Sequence, residues 1–331
     1  MSDPTICVAG GGSWGTALAH LLAGNGYDTR LWLRDAAIAE AICAHHENPR
    51  YLPGIALHAN LSATTNPEVL GREIVVLAVP CQQLRGWLAA NAQFFCRNAV
   101  LINAAKGIET ANLATCAEIA QQGLGHLHPR YAVLSGPSFA ADVLRGLPTA
   151  VVLASADEAL GHMLRQIFSS GTFRCYSSTD VMGVEMGGAL KNVIAIAAGV
   201  CDGLGLGHNS RAALITRGLA EMSRLGVARG AQPHTFMGLS GLGDLTLTCT
   251  GDLSRNRQVG LRLGRGEKLD QITASLGMVA EGVKTTAAIH ELARRLHVEA
   301  PLTDAVHSIL YGNRNPNEVL HNLMARQLKD E

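Results

Sequence analysis

"TICVAGGGSWGTALAH", Thr5 to His20, decides the fold. Its opening apolar run reads as a buried strand, and the residues from Thr16 onward repeat apolar side chains at helical intervals. Between the two, Gly10, Gly12 and Gly15 satisfy G-x-G-x-x-G. All three spacings hold in a strand-turn-helix context, which separates the match from an incidental glycine-rich turn. Gly10 suits the tight turn, Gly12 lets a pyrophosphate approach the backbone, and Gly15 permits close packing of helix on strand. Amides at the helix N-terminus then face the anion.

Working outward, the runs "TRLWLR", "EIVVLAVP", "AVLINAAKG", "YAVLSGPS" and "TAVVLAS" alternate with helical patterns. Such runs suit strands buried on both faces, and the alternation predicts a parallel, doubly wound sheet. From Val181 the pattern changes to long helices with glycine-rich loops and no convincing strand. The expectation is α/β: a Rossmann-type dinucleotide-binding domain over 1–179, then an all-α substrate domain over 180–331. "YSSTD" at 176–180 supplies candidate helix caps at the boundary.

The 331 residues exceed one ordinary hydrophobic core, and a hydrophobic fraction of 47% can fill two. Twenty-seven basic and 27 acidic residues leave no global field for nucleic acid or anionic lipid, so an anionic ligand must be held locally. The eight cysteines form no Cys-x-x-Cys pair, indicating reduced thiols rather than a metal site or disulfide framework. The N-terminus lacks signal-peptide features, and the protein is expected in the cytoplasm. The run from Val181 to Cys201 is long enough to cross a bilayer, but it contains Glu185, Lys191 and Asn192. One central lysine alone costs about 2.5–3.5 kcal/mol there, so the run reads as a core helix without a membrane span.

An NAD-specific site carries an acid roughly twenty residues after the glycine motif. Here Arg34 stands at that point, with Asp35 just beyond. Arginine pairs with a 2′-phosphate, which favours NADP while leaving NAD open. In "GVEMGGALKNVIAIAAGV", 183–200, Lys191 has Gly187 and Gly188 one turn before it and Ile194 and Ala195 one turn after. Lost solvation eases proton release from such a lysine, as an acid/base in hydride transfer requires. The glycines leave room for a ligand or for another backbone. Lys106 follows an apolar run at the carboxyl end of a predicted strand, where ligands bind in such sheets. The stretch 239–260, read as a loop, combines Asp244 with Ser254, Arg255, Asn256 and Arg257. The arginine and small polar donors fit phosphate recognition and Asp244 suits orienting a lysine or a substrate hydroxyl, while the stretch equally fits a polar surface loop.

The segments "GGGSWGTALA", "AVPCQQLR", "AAKGIE", "LSGPSFAADV", "GALKNVIAIAAG", "HNSRAALITRGLAEM", "GLGDLTLTCTGDLSRNRQVG" and "VAEGVKT" resemble, in order, those of the bacterial NAD(P)-dependent glycerol-3-phosphate dehydrogenases. The resemblance implies interconversion of dihydroxyacetone phosphate and sn-glycerol 3-phosphate for phospholipid synthesis, commonly in a homodimer. It places the catalytic proton acceptor at Lys191. Substrate contacts carry over to Lys106, Gly136, Ser138, Asp244, Ser254, Arg255 and Asn256. Cofactor contacts carry over to Ser13, Trp14, Arg34, Lys106, Ala140, Arg255, Val279 and Glu281, beside Gly10, Gly12 and Gly15. No metal is implied. Cys81, Asp142 and Arg211 depart from the family pattern, and Arg211 keeps the usual positive charge with a different geometry.

Two rivals stand beside this reading. A β-hydroxyacid dehydrogenase of the 6-phosphogluconate type places asparagine one turn after its lysine, where this chain has Ala195. A non-catalytic sensor of nicotinamide redox state has no need of Lys191 together with Asp244 and Ser254-Arg255-Asn256.

Overall fold

The computed structural model describes residues 3–276 and 280–325. Eight strands form one sheet: β1 (Ile6–Ala9), β2 (Thr29–Trp32), β3 (Ser62–Thr64), β4 (Ile74–Leu77), β5 (Val100–Asn103), β6 (Arg130–Ser135), β7 (Thr149–Ala154) and β8 (Phe173–Ser178). Their spatial order is β3-β2-β1-β4-β5-β6-β7-β8. Every described neighbouring pair is parallel except β6 with β7, where Val133, Leu134 and Ser135 face Ala154, Leu153 and Val152. The sheet is therefore mostly parallel rather than wholly so. A parallel return needs a long crossover, and the β6–β7 connection holds only the five-residue helix Ala140–Leu144, so the chain turns back.

Helices α1 (Ser13–Gly24), α2 (Ala36–His45), α3 (Cys81–Asn91), α4 (Cys116–Leu124), α5 (Ala140–Leu144) and α6 (Glu158–Phe168) accompany the sheet. Central strands β1 and β4 are buried along their whole length, as their uniform apolar sequences require. Caps start the helices where the sequence offers them: Asp35 for α2, Asp157 for α6, and a Thr115–Glu118 capping box for α4.

Then follow α7 (Val181–Gly203), α8 (Gly207–Ala228), α9 (Asp244–Thr250), α10 (Arg255–Gly264), α11 (Leu269–Leu276), α12 (Glu281–Leu296), α13 (Pro301–Gly312) and α14 (Pro316–Met324). Within "YSSTD", Asp180 is the cap, accepting from the Gly183 amide at 2.9 Å. Of the apolar window of α7, 94% is buried, which makes it a core helix. Gly199 and Gly260 let α7 and α10 touch backbone to backbone, since a Cβ on either falls on a carbonyl oxygen of the other helix.

The chain divides into two compact units, Met1–Lys106 with Thr115–Glu185, and Gly107–Ala114 with Met186–Glu331. The division falls inside α7 rather than at 179/180. Helices dominate the second unit, with no strand among its described residues. Cys43 and Cys96 are exposed; the other six cysteines are buried, and burial pushes the Cys7, Cys175 and Cys249 thiols up to about 12.

Candidate active site

The glycine turn joins β1 to α1. Gly10 adopts φ +122°, and a Cβ there would lie 2.6 Å from the Ala78 carbonyl oxygen. A Cβ on Gly15 would fall on the Gly10 carbonyl, so that position permits the helix to sit against the turn. Gly12 differs: its missing Cβ would meet nothing within 4 Å, and as the N-cap it offers no side chain to the first-turn amides. Those amides, at Ser13, Trp14 and Gly15, form an anion-binding helix start. Trp14 adds a buried indole N–H without a partner. Ser13 Oγ donates to the Tyr51 carbonyl at 3.4 Å.

Asn48, wholly buried, holds this turn from outside the motif. Its amide donates to the Gly11 carbonyl at 3.0 Å and to Thr16 Oγ1 at 2.9 Å, and its oxygen accepts from the Tyr51 amide. Its sequence signal was only an Asn-Pro pair in a polar loop.

At the end of β2 the two candidate cofactor-selecting residues separate in role. Asp35 accepts from the Ala37 and Ile38 amides, so its carboxylate serves as the α2 cap. Arg34 is exposed and makes no hydrogen bond or ion pair among the described residues. Lys106, Gly136 and Ser138 come together. Lys106 Nζ donates to the Gly136 carbonyl at 3.1 Å, Ser138 Oγ donates to the same oxygen at 3.0 Å, and Gly136 has φ +143°. Ala140 opens α5 just beyond.

In the second unit Lys191 is 7% exposed and its Nζ lies 2.5 Å from Asp244 Oδ1, itself 1% exposed. Nζ also donates to Thr248 Oγ1 at 2.8 Å, while that hydroxyl donates to the Asp244 carbonyl at 2.6 Å. Along α7 the lysine has small or apolar neighbours, and Asp244 reaches it from α9, in one of the two roles the sequence leaves open for that carboxylate: burial disfavours the ammonium, and the adjacent anion favours it. The glycine before the lysine admits another backbone, because a Cβ on Gly187 would lie 2.6 Å from the Ser240 carbonyl oxygen. Ser240 belongs to a π-helical turn, Leu239–Gly243, that leads straight into Asp244 at the start of α9.

The stretch 239–260 is thus not a loop; it folds into that turn, α9 and α10. Gly241 and Gly260 serve close packing, since a Cβ on the first would fall on the Phe236 carbonyl oxygen and on the second on that of Ile196, and Asp244, Ser254 and Asn256 are buried. Ser254 caps α10 by accepting from the Arg257 amide at 3.2 Å. Asn256 donates to Asn192 Oδ1 at 2.9 Å and accepts from the Gly282 amide at 3.0 Å. Arg255 is exposed, whereas Arg257 pairs with Asp202 at 2.7 Å and with Asp252 at 2.8 Å. Arg257 is therefore held by carboxylates. Arg211 joins the same Asp202 at 3.0 Å, so its positive charge serves an ion pair. Glu281 opens α12, and Val279 lies outside the described residues.

Two family models cover most of the chain: the N-terminal part of NAD-dependent glycerol-3-phosphate dehydrogenase over residues 5–161, and its C-terminal part over 180–321. The chain belongs to the NAD-dependent glycerol-3-phosphate dehydrogenase family. It is 75% identical over 327 residues to glycerol-3-phosphate dehydrogenase (NAD(P)+) of Desulfovibrio desulfuricans, covering 99% of this chain and 98% of that one. The same enzyme of Nitratidesulfovibrio vulgaris strain DP4 is 60% identical over 328 residues, with 98% and 99% covered. Among solved structures, glycerol-3-phosphate dehydrogenase of Coxiella burnetii matches at TM-score 0.93 and 37% identity, covering 98% of this chain and 99% of that one.

Proposed function

We propose that this family member interconverts dihydroxyacetone phosphate and sn-glycerol 3-phosphate with NADP or NAD. The observation that carries the reading is the buried Lys191–Asp244 pair, a proton carrier held beside a fixed anion. The nicotinamide, when bound, supplies or accepts the hydride. Gly10, Gly12, Ser13, Trp14 and Gly15 hold its pyrophosphate at the start of α1, and Arg34 favours a 2′-phosphate. Lys106, Ala140, Arg255, Val279 and Glu281 are further cofactor contacts carried over from the family resemblance, Lys106 and Arg255 being shared with the substrate.

In reduction the Lys191 ammonium gives its proton to the carbonyl oxygen at C2; in oxidation the neutral amine takes it from the alcohol. Asp244 orients the amine and supports the ammonium between turnovers. Lys106, Gly136, Ser138, Asp244, Ser254, Arg255 and Asn256 bind the phosphorylated substrate, with the arginine suited to phosphate. We place the enzyme in the cytoplasm, as a homodimer, feeding glycerophospholipid synthesis.

The test is consumption of NADPH or NADH with dihydroxyacetone phosphate, beside cofactor reduction with 6-phosphogluconate. Turnover with the first substrate alone is expected. Activity only with 6-phosphogluconate gives the chain to the other dehydrogenase class, and cofactor binding with no turnover at all makes it a sensor.

A further inference from the structure

We propose that Glu185 is a positioning residue that acts on Lys106 through Asn103. Glu185 is a carboxylate only 6% exposed, in the first turns of the mostly apolar helix α7. Burial raises its pKa, and hydrogen bonds from Tyr131, Thr115 and the Ala117 amide act in the opposite sense. Its Oε1 accepts from the Tyr131 hydroxyl at 2.5 Å, the Ala117 amide at 3.1 Å and Asn103 Nδ2 at 3.3 Å. A buried acid with this many donors is costly to assemble and leaves them all unsatisfied when removed.

The bond to Asn103 reaches the binding machinery. Asn103 ends β5, is wholly buried, and grips both sides of Ala105: its oxygen accepts from the Ala105 amide at 3.0 Å and its nitrogen donates to the Ala105 carbonyl at 3.0 Å. Those two bonds fix the peptide planes on either side of the residue preceding Lys106. The second Asn103 N–H goes to Glu185, which thereby sets which way the amide faces. Lys106 then extends to the Gly136 carbonyl. A flipped Asn103 amide would present like groups to Ala105 and release the backbone under Lys106.

This inference rests on the reading of Lys106 as a contact of dihydroxyacetone phosphate. The experiment measures kcat/KM for that substrate, and thermal stability, in the full-length parent and in Lys106→Ala, Glu185→Ala, Glu185→Gln, Asn103→Ala, Tyr131→Phe and the double variants with Lys106→Ala. Glu185→Ala and Asn103→Ala should each lower kcat/KM about ten-fold, while Glu185→Gln, which keeps an oxygen for Asn103, stays within about two-fold of the parent. Added to Lys106→Ala, neither should lower kcat/KM further. Tyr131→Phe should lower the melting temperature and leave kcat/KM alone. Multiplicative losses in the double variants, or a Tyr131→Phe loss equal to that of Glu185→Ala, overturn the proposal. Parental kcat/KM in Lys106→Ala overturns the reading of Lys106, and the proposal with it. Should Glu185→Ala not fold, the Asn103→Ala series decides the same question.

Discussion

The backbone of Gly187 touches the carbonyl of Ser240 so closely that a single added Cβ would stand 2.6 Å from its oxygen. Lys191 is the fourth residue after Gly187, and Asp244 the fourth after Ser240. The contact therefore sets the approach of lysine and aspartate one turn away on each side. Gly187→Ala is expected to destabilise the fold by about 1–3 kcal/mol and to lower kcat more than it raises cofactor Kd. Chemical denaturation and single-turnover kinetics on the same preparation check both.

Lys191→Ala removes the proposed proton carrier and leaves the glycine turn's own sequence intact. It should lower kcat by about 100- to 10,000-fold and leave NADPH affinity within about two-fold of the parent. Stopped-flow turnover and equilibrium fluorescence titration read the two quantities. Near-parental kcat removes the lysine from the chemistry.

Arg34→Ala tests cofactor choice. The side chain is exposed and uncommitted among the described residues, whereas its neighbour Asp35 is occupied in capping α2. Loss of one charge-assisted contact should weaken NADPH about 10- to 100-fold and leave NADH unchanged. Equal weakening of both cofactors would break the link to the 2′-phosphate.

Two helical glycines should respond in opposite senses to alanine. Gly86, exposed inside α3, has nothing within 4 Å of its missing Cβ, so Gly86→Ala should stabilise by about 0.5–1 kcal/mol. Gly199 faces the Arg257 carbonyl, and Gly199→Ala should destabilise by about 2 kcal/mol or more. Urea midpoints of the two variants give the comparison.

Glu221 supplies a pH test. Only 1% exposed, it accepts from the Leu302 and Thr303 amides, both at 2.9 Å, at the start of α13. Burial raises its pKa above the ordinary 4.5, against the pull of the Thr303 hydroxyl and those amides. Between the unfolded and folded values the native state binds more protons, so this group's contribution falls as pH rises from about 4.5 through the folded pKa. Relative to Glu221→Gln, which cannot titrate, the parent should lose stability across that window. Denaturation curves at a series of pH values that run parallel for the two proteins reject this.

How much of this was legible follows the physics of each residue. Lys191 stood out because a charge in an apolar helix contradicts its surroundings, and Asp244 because it sat in a polar set. Thr248 carried no such contrast: a threonine four residues after an aspartate resembles any helix surface until α9 places it beside the amine. Asn48 was hidden for the same reason, since Gly11 and Thr16, to which its amide donates, lie more than thirty residues earlier. Strands β1, β2, β4, β5, β6 and β7 announced themselves by apolar runs. Strand β3 has only three half-buried residues, and β8 opens with alternating buried and exposed positions, so neither made a run. The reversal between β6 and β7 was invisible because hydrophobicity carries no strand direction. In the sequence Glu185 shows only as a cost against membrane insertion; its partners on β5, β6 and α4 are contacts that linear spacing does not encode.

The distribution of thiols has a practical consequence for watching this protein at work. With six cysteines enclosed and only Cys43 and Cys96 exposed, a maleimide dye applied to the native protein has two places to attach, both in the dinucleotide-binding unit. Replacing Cys96 by serine leaves one. Cys43 rides on α2, the helix that begins directly after Arg34 and Asp35, so a reporter there watches the helix next to the proposed 2′-phosphate contact.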